Sequence, residues 1–537
     1  MVNSNDIYAD KIFHSGKIVT VDESFSIAEA FAIKDGNFQA VGSDKEILAL
    51  SGPKTEKHDL SGKTVIPGLI DSHIHFPFVA EESIFVSLAG VKSIVEMAER
   101  IGKAIKKTKK GEWIRCAMLN SYFYLELEEQ RRPNRWDLDP VSPENPVYIE
   151  GAHHCYINSY ALKLAGVTRD TPQPPGAVVM PGEQGPIEKD SETGEPTGIF
   201  REASGKSLIT KLLPQITHDD RVRGYKKTVK RLNSRGLTGI LNGGALYDDL
   251  RALQEIWSKE ELTLRIYSLF FIDFDEVRSL EEDIEIIKNL AAFASARGFG
   301  DSMLRIGGIG EIIFNGIMPR DKLKSLSIEA AKNNLRVGVH AHMPMGGKAL
   351  DELLEVWEEV NKEVPITDKR FIIIHATFPG EDTFEKVKKL NLVGSCQNFL
   401  YAQPEQVSLG KGRPAYSPRS WLDNGIPVGF GSDSVSTNGL LWDPFINIHH
   451  AVTRISRNGV VLKDGQNITI EEALRCYTIN NAILTFEEDV KGSIEPGKYA
   501  DFVVLEKDIL TCPIDEVKNM KVLMTVVGGE IVYKKDD

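Results

Sequence analysis

The strongest constraint on the fold is an alternation, between residues 65 and 433, of short apolar segments with longer amphipathic stretches. Stretches such as Leu323–Asn333, Lys348–Val360 and Thr383–Leu390 carry apolar residues every three or four positions, which is typical of helices. The apolar segments predict eight strands: Val65–His75, Thr238–Asn242, Leu264–Ile272, Leu304–Ile313, Arg336–His342, Phe371–His375, Leu392–Gln397 and Pro427–Asp433. Because strands that alternate with helices form parallel sheets, the pattern predicts an α/β fold of the (β/α)8 TIM barrel type.

Both ends of the chain differ from this middle, because they consist of short β-type runs broken by turn residues. The C-terminal runs include Gly492–Lys498, Ala500–Glu506 and Val522–Val527. Chain ends often lie close together in a folded domain. We therefore expect residues 1–64 and 490–537 to form one small β-sandwich domain from both termini.

A long insertion interrupts the predicted barrel, which spans residues 65–489. About 160 residues separate the first strand from Thr238, whereas connections usually have about 2–6. Trp113–Met118 and Val147–Gly151 resemble strands, and Ala203–Leu213 resembles a helix. Because the insertion leaves the carboxyl end of a barrel strand, where active sites lie, we expect residues 77–235 to form a lid or substrate subdomain.

Composition argues against several classes of protein. With 64 basic and 77 acidic residues the net charge is −13, so we expect no nucleic-acid partner. No apolar run reaches about 18 residues and residues 1–10 lack the order of a signal peptide, so we expect a cytoplasmic protein without membrane contact. The five cysteines are scattered, which predicts neither disulfides nor a thiolate zinc site. A homodimer is the default expectation, since homodimers are the commonest oligomers.

Histidines and an aspartate end four of the predicted strands. His73 and His75 are spaced i, i+2 and share one side of their strand; His340, His375 and Asp433 end three others. Neutral imidazoles and a carboxylate that converge at one barrel rim are typical of a catalytic metal site. His342 shares a face with His340, so it could be a ligand, a hydrogen-bond donor to a ligand or a substrate contact.

Several segments resemble the amidohydrolase superfamily of metal-dependent hydrolases. Val65–His75 is similar to its signature and Gly492–Asp501 to its usual C-terminal segment. The insertion resembles the branch that includes N-substituted formamide deformylase, because His153 stands five residues before Asn158-Ser159. The matches to that branch extend over nearly the whole chain and include Pro146–Gly166, Thr197–Glu202 and Arg413–Asp433.

The resemblance implies a ligand set for one or two divalent ions, with zinc expected and manganese or iron as alternatives. The implied ligands are His73, His75, His340, His375 and Asp433. Relatives often carry a lysine on the fourth strand, five residues before a glycine, and here that spacing to Gly316 falls on Glu311. Glu311 is either an anionic ligand that bridges two ions or a solvated carboxylate at the strand end.

A metal of this kind lowers the pKa of bound water from 15.7 toward ~7 and polarises a carbonyl. Asp433 is suited to take the proton from the water and pass it to the leaving group. His153 is a candidate for stabilising the oxyanion, with His375 and His342 as competitors. Further candidate substrate-binding residues are His342, His154, Arg413, Gln397 and Tyr122, although Arg413 could instead pair with a local carboxylate.

The resulting hypothesis is a hydrolase that cleaves a carbon–nitrogen bond in an amide, formamide or cyclic amide. Hydrolytic carbon–carbon opening of a cyclic ketone or diketone is one alternative, and a non-catalytic ligand-binding barrel is another. Met343–Gly347 and Gln397-Asn398 depart from the pattern of the relatives, so substrate choice does not carry over.

Overall fold

The computed structural model describes residues 8–88, 90–119, 123–151, 154–174, 185–272, 279–314, 318–341, 346–397, 410–434, 442–456 and 459–535. The strands are β1 Lys11–His14, β2 Lys17–Val19, β3 Ile27–Ala28, β4 Ala30–Lys34, β5 Asn37–Gly42, β6 Glu56–Asp59, β7 Thr64–Pro67, β8 Leu69–Ile74, β9 Ile114–Leu119, β10 Val147–Gly151, β11 His154–Ile157, β12 Ile187–Lys189, β13 Pro196–Arg201, β14 Leu237–Ala245, β15 Arg265–Phe270, β16 Phe299–Gly300, β17 Leu304–Ile313, β18 Arg336–His340, β19 Ile372–Ile374, β20 Val393–Cys396, β21 Val428–Phe430, β22 Phe502–Leu505, β23 Val522–Val527 and β24 Glu530–Lys534.

The α-helices are α1 Asp44–Leu48, α2 Phe76–Glu82, α3 Ile94–Ile105, α4 Arg135–Leu138, α5 Ser159–Ala165, α6 Glu202–Thr210, α7 His218–Asn233, α8 Tyr247–Ser258, α9 Leu280–Ala291, α10 Arg320–Lys332, α11 Gly347–Glu363, α12 Thr383–Leu390, α13 Pro418–Asp423, α14 Pro444–Thr453, α15 Ile470–Tyr477, α16 Ile479–Leu484 and α17 Ile514–Val517. Short 3₁₀ turns cover Phe123–Glu126 and Asp139–Val141.

Eight parallel strands form a nearly closed barrel in the order β21-β20-β19-β18-β17-β15-β14-β8. Their registers are parallel throughout, for example Val339 opposite Ile373 between β18 and β19. Helices follow most of these strands, and α12 has the predicted bounds. The structure therefore confirms the predicted TIM barrel.

The predicted strand Val65–His75 is in fact two strands. β7 pairs with β22 in another sheet, whereas β8 begins the barrel. Gly68 separates them, and a Cβ at Gly68 would lie 2.2 Å from the hydroxyl oxygen of Thr238. The Pro67-Gly68 pair, a turn signal in the sequence, stands where the chain leaves one sheet for the other.

Both termini contribute to the small β-sandwich, as predicted. Its six-stranded sheet has the order β24-β23-β22-β7-β2-β3, and its four-stranded sheet has the order β5-β4-β1-β6. Phe502 of the first sheet contacts Phe13 and Phe31 of the second, with ring centroids 4.9 and 4.8 Å apart. The predicted strand Gly492–Lys498 is wrong: this segment forms turns, and Gly497 has a φ of +91°.

The chain divides into two units, residues 1–74, 229–433 and 441–537, and residues 75–228 and 434–440. The first unit holds the barrel and the β-sandwich. The second contains a five-stranded sheet of order β12-β13-β11-β10-β9, with separate apolar clusters that include Met97 and Ile149, and Phe200 and Ile209.

The five cysteines are free thiols, as predicted, and all but Cys512 are buried. Within the described ranges, every helix is too short or too polar to cross a membrane.

Candidate metal centre

Five predicted metal ligands lie at the carboxyl ends of barrel strands. His73 is on β8, Glu311 is on β17 and His340 ends β18, while His375 and Asp433 follow β19 and β21. Because the strands are parallel, their carboxyl ends share one rim of the barrel. The fold thus collects side chains that are up to 360 residues apart in the sequence.

Glu311 lies at the centre of this cluster. Its Oε1 is 2.7 Å from His340 Nδ1 and 3.6 Å from His375 Nε2, and its Oε2 is 3.3 Å from His73 Nε2. His73 Nε2 also lies 3.2 Å from Asp433 Oδ1. Glu311 is 3% exposed, and His73 and His375 are fully buried. One buried carboxylate therefore contacts imidazoles from the first, fifth and sixth barrel strands.

The cluster contains two groups of possible ligands. We call His73, His75 and Asp433 the seam group and Glu311, His340 and His375 the ladder group; within each, the donor atoms lie within 4.8 Å of one another. Imidazole nitrogens and carboxylate oxygens are donors that zinc, manganese and iron accept. His340 Nδ1 and His375 Nε2 are only 2.8 Å apart beside a carboxylate oxygen, an arrangement that suits a shared cation. The donor set fits one or two divalent ions.

A β-bulge directs Glu311 into the cluster. Ile309 pairs with Val337 and Ile312 with Val339, so Gly310 and Glu311 together oppose one residue of β18. A bulge of this kind re-aims a side chain that regular alternation would place elsewhere. The buried position of Glu311 therefore depends on the register between β17 and β18.

A second bulge, on β14, makes room for His73. Asn242 pairs with Ser268 and Ala245 with Phe270, which leaves Gly243 and Gly244 opposite a single residue of β15. A Cβ at Gly243 would lie 2.6 Å from Cε1 of His73, and one at Gly244 would lie 2.5 Å from the carbonyl oxygen of Gly310. Side chains at these two positions would displace the imidazole of His73 and the bulge that carries Glu311.

The barrel closes between β21 and β8 through side chains and through two backbone hydrogen bonds beyond the end of β21, from Asp433 N–H to the carbonyl oxygen of His73 at 2.8 Å and from His75 N–H to that of Ser434 at 3.0 Å. Within the described residues these two strands share no ladder. Asp71 Oδ1 accepts hydrogen bonds from the backbone N–H groups of His73 and Ser432, at 3.0 and 3.1 Å. Asn481 of α16 donates to the carbonyl oxygens of Ile70 and Phe430. This seam fixes the strand that carries His73 against the segment that carries Asp433.

Two of the predicted ligands have a left-handed backbone. The φ angle of His375 is +75° and that of Asp433 is +52°. Residues other than glycine seldom adopt this region, and each instance costs about 1–3 kcal/mol unless surrounding structure compensates. Both residues follow the last regular residue of their strands, so the turn of the backbone sets the direction of each side chain.

Burial and charge act on these groups in opposite directions. Burial would lower the pKa of His73, but the carboxylates of Glu311 and Asp433 raise it to about 10. Burial would raise the pKa of Glu311, but the imidazoles, above all His73, hold it well below its usual range. Burial and His340 lower the pKa of His375. Because only a neutral imidazole binds a metal, a seam group that holds an ion requires His73 in its neutral form.

Several other predicted site residues belong to the second unit or fall outside the described ranges. His153, His342 and Tyr122 fall outside the described residues. His154 begins β11 in the second unit, with its ring parallel to that of Tyr156. Their predicted roles remain hypotheses.

Gln397 and Arg413 have different surroundings. Gln397 follows β20 and is fully buried; its Nε2 donates to Ser395 Oγ at 2.7 Å, and its Oε1 has no hydrogen-bond partner among the described residues. The role of Gln397 in substrate binding remains a prediction. Arg413 instead pairs with Asp351 at 2.8 Å, which favours local pairing over contact with a substrate.

Sequence reasoning missed Asp71, Asn481 and Gly243. Asp71 stands inside the apolar segment that ends in the two histidines, where a carboxylate needs a reason, and paired glycines inside a strand signal close approach. Nothing in the local sequence marks Asn481, which acts 411 residues away from Ile70.

Comparison with known proteins gives consistent matches. The model of the amidohydrolase family matches residues 56–533. The N-substituted formamide deformylase of Arthrobacter pascens is 27% identical over 98% of each chain. Protein LONG AFTER FAR-RED 3 of Arabidopsis thaliana is 29% identical over 98% of this chain and 92% of its own.

A solved structure is also similar. It is that of an uncharacterized metal-dependent hydrolase from Pyrococcus horikoshii, with a TM-score of 0.69 and 24% identity over 94% of this chain and 99% of its own. At this identity the likeness concerns the fold.

Proposed function

The chain belongs to the amidohydrolase family and is a metal-dependent hydrolase of carbon–nitrogen bonds; from that premise we propose that it cleaves an amide, formamide or cyclic amide at the cluster around Glu311. The observation that carries the proposal is the convergence of the seam group and the ladder group on one buried carboxylate. Its similarity to an N-substituted formamide deformylase makes N-substituted formamides the first substrates to test.

The proposed ligands are His73, His75 and Asp433 for one ion and His340 and His375 for another, with Glu311 shared between them. The opposite placement of its two oxygens, Oε2 toward His73 and Oε1 toward His340, supports this bridging role. The mixture of nitrogen and oxygen donors suits zinc, with manganese or iron as alternatives. When bound, such ions polarise the substrate carbonyl and lower the pKa of water.

Asp433 is the proposed proton carrier. Its side chain is 8% exposed and its Oδ1 faces His73, so it is close to the cluster yet still accessible to water. It takes the proton from the attacking water and passes it to the leaving nitrogen. Gln397 Oε1 accepts the substrate N–H group in this scheme, and His153 stabilises the oxyanion. Location in the cytoplasm and assembly as a homodimer remain predictions from the sequence.

Metal analysis combined with substrate hydrolysis tests this function. We expect up to two equivalents of metal in the purified protein, release of benzylamine from N-benzylformamide or ring opening of glutarimide, and loss of both metal and turnover in Glu311→Ala. Glu285→Ala, on the exposed face of α9, is the matched control and should match the parent protein. Protein without metal, or turnover of cyclohexane-1,2-dione with no hydrolysis of any amide, would contradict the proposal.

A further inference from the structure

A cavity of about 440 Å³ lies within the second unit, built from four separate pieces of its chain. They are the segment Ile84–Val86, the start of β9, the end of α3 with Thr108, and the loop Pro214–Ile216 that leads into α7. The segment Ile84–Val86 runs along the edge of β9: Val86 donates to the carbonyl oxygen of Arg115 and accepts from Ala117, both at 3.0 Å. A volume of this size is in the range of small-molecule sites, about 300–1,000 Å³.

The lining is mainly apolar and half-buried. Ile84, Phe85, Val86, Trp113 and Ile216 all retain partial exposure around the cavity. Apolar side chains grouped in a concave surface bind ligands better than scattered exposed ones, because a ligand there loses more of its own contact with water.

Arg115 places a positive charge inside this lining. Its guanidinium carbon lies 4.1 Å from the centre of the Phe85 ring, and Nη1 donates to the carbonyl oxygen of Pro214 at 3.3 Å. Its Nε is buried and has no hydrogen-bond partner, and the guanidinium forms no ion pair with the described residues. A partly desolvated guanidinium without a carboxylate favours binding of an anion.

The other polar groups of the cavity are consistent with this preference. The indole N–H of Trp113 and the side-chain amide of Gln215 have no partner in the described part of the chain and can donate to a ligand. Asp220 is the one acidic residue of the lining, and it is already held by Thr217 Oγ1 at 2.5 Å and by Arg223. Donors are therefore available to a ligand, while the acidic side chain is satisfied by its neighbours.

We propose that this cavity is a second binding site, for a small organic anion in which a carboxylate is attached to an aromatic or branched aliphatic body. The carboxylate accepts from Arg115 and Trp113, and the apolar body packs among Phe85, Val86 and Ile216. This inference uses residues of the second unit alone and does not depend on the proposed hydrolysis.

Isothermal titration of the metal-loaded, full-length protein with three probes of the same shape tests the proposal. The probes are 1-naphthylacetate as the anion, 2-(1-naphthyl)ethanol as the neutral analogue and 2-(1-naphthyl)ethylamine as the cation. We expect one molecule of 1-naphthylacetate to bind per chain, at least about tenfold more tightly than either analogue, since a charge-assisted hydrogen bond is lost with each.

Two variants locate the site. Arg115→Met removes the charge but keeps the length of the side chain, and Ala104→Phe fills the cavity from the end of α3 without touching the charge. Each should weaken binding of 1-naphthylacetate at least about tenfold. Arg169→Met, an arginine of the same unit whose side chain is 63% exposed, is the control and should bind like the parent.

Three results would overturn the proposal. One is the absence of saturable binding up to millimolar 1-naphthylacetate in the parent protein. A second is equal binding of the anion and the amine. The third is binding that persists in both Arg115→Met and Ala104→Phe but disappears in His375→Ala, because it would locate the anion at the metal centre. Circular dichroism of each variant ensures that loss of binding is scored only in folded protein.

Discussion

The seam group and the ladder group of the metal centre are held in place by different means. Glu311 and His340 sit on neighbouring strands whose backbone hydrogen bonds continue along the ladder, and His375 follows the next strand of that ladder. His73 and Asp433 lie where the barrel closes without a ladder. Two backbone hydrogen bonds, one of them from Asp433 N–H to the carbonyl oxygen of His73, and the side chains of Asp71 and Asn481 make the connection there. The geometry of the ladder group is therefore set by continuous backbone pairing, whereas that of the seam group depends on two backbone hydrogen bonds and a few side chains.

Removal of the shared ligand should have the largest effect, because it acts on both groups. Glu311→Ala should lose most bound metal and lower kcat/KM by about 10³-fold or more, since several kcal/mol of charge stabilisation disappear with the ions. Elemental analysis and steady-state kinetics measure the two effects. A variant that keeps two equivalents of metal would show that Glu311 does not join the groups.

A methyl group beside His73 should damage the seam group alone. In Gly243→Ala the new Cβ would lie 2.6 Å from the imidazole, and a displacement near 1 Å costs about 10²-fold in rate. One of two metal equivalents should be lost while the other remains. Gly239→Ala is the matched control on the same strand, because a Cβ there has its nearest atom at 3.5 Å. Equal behaviour of the two variants would argue against contact between Gly243 and His73.

Loss of the carboxylate at the seam should have a smaller effect. Asp71→Ala leaves the N–H groups of His73 and Ser432 without an acceptor, and we expect metal affinity of the seam group to fall about 10–100-fold. Asp71→Asn retains an acceptor oxygen and should recover most of the affinity. Burial raises the pKa of Asp71 to about 6, although hydrogen bonds from Ser432 and His73 lower it. Because burial disfavours the charged form of this side chain, we expect the site to tolerate a neutral amide. If Asp71→Asn loses as much metal affinity as Asp71→Ala, the charge of Asp71 rather than its hydrogen bonds is what the seam group requires.

The smallest expected effect concerns His450, a histidine outside both groups. It distinguishes the acid sensitivity of the whole fold from the acid sensitivity of the metal centre. His450 on α14 is fully buried, and burial together with Arg454 lowers its pKa from 6.5 to about 3. As the pH falls below about 6.5, the unfolded chain binds a proton at His450 that the folded chain does not bind. The free energy of unfolding therefore decreases as the pH falls from about 6.5 to about 3, by at most about 1.4 kcal/mol per pH unit.

His450→Asn should remove this part of the acid sensitivity and leave activity at neutral pH unchanged. Its amide can still donate to the carbonyl oxygen of Ile455, the contact that Nδ1 makes at 2.6 Å. Urea unfolding at pH 5 and pH 7 measures the change. An identical pH dependence in the parent and the variant would mean that His450 does not set the acid limb.

The sequence predicted the eight barrel strands because each is an apolar run that ends in turn residues or a polar side chain. Strand ends and family resemblance led to the prediction of six metal ligands, and the structure brings these six side chains together in two groups. The sequence could not reveal the bulges at Gly310-Glu311 and Gly243-Gly244, because a bulge is a property of register between two strands. The role of Asn481 was hidden because it depends on residues distant in the chain, whereas the break at Gly68 is marked by the turn signal Pro67-Gly68, which the prediction of one continuous strand did not use.

The pairing of β7 with β22 has a consequence for the order in which the molecule can be completed. Only Gly68 separates β7 from β8, the strand that carries His73. The antiparallel neighbour of β7 is β22, Phe502–Leu505. Asn481, which closes the barrel against the same strand, also comes late in the chain. During synthesis His73 emerges early. The chain of β7 and β8, however, can pair with β22 and contact Asn481 only after residue 505 has left the ribosome. The environment of His73 is therefore complete only when nearly the whole chain has been made.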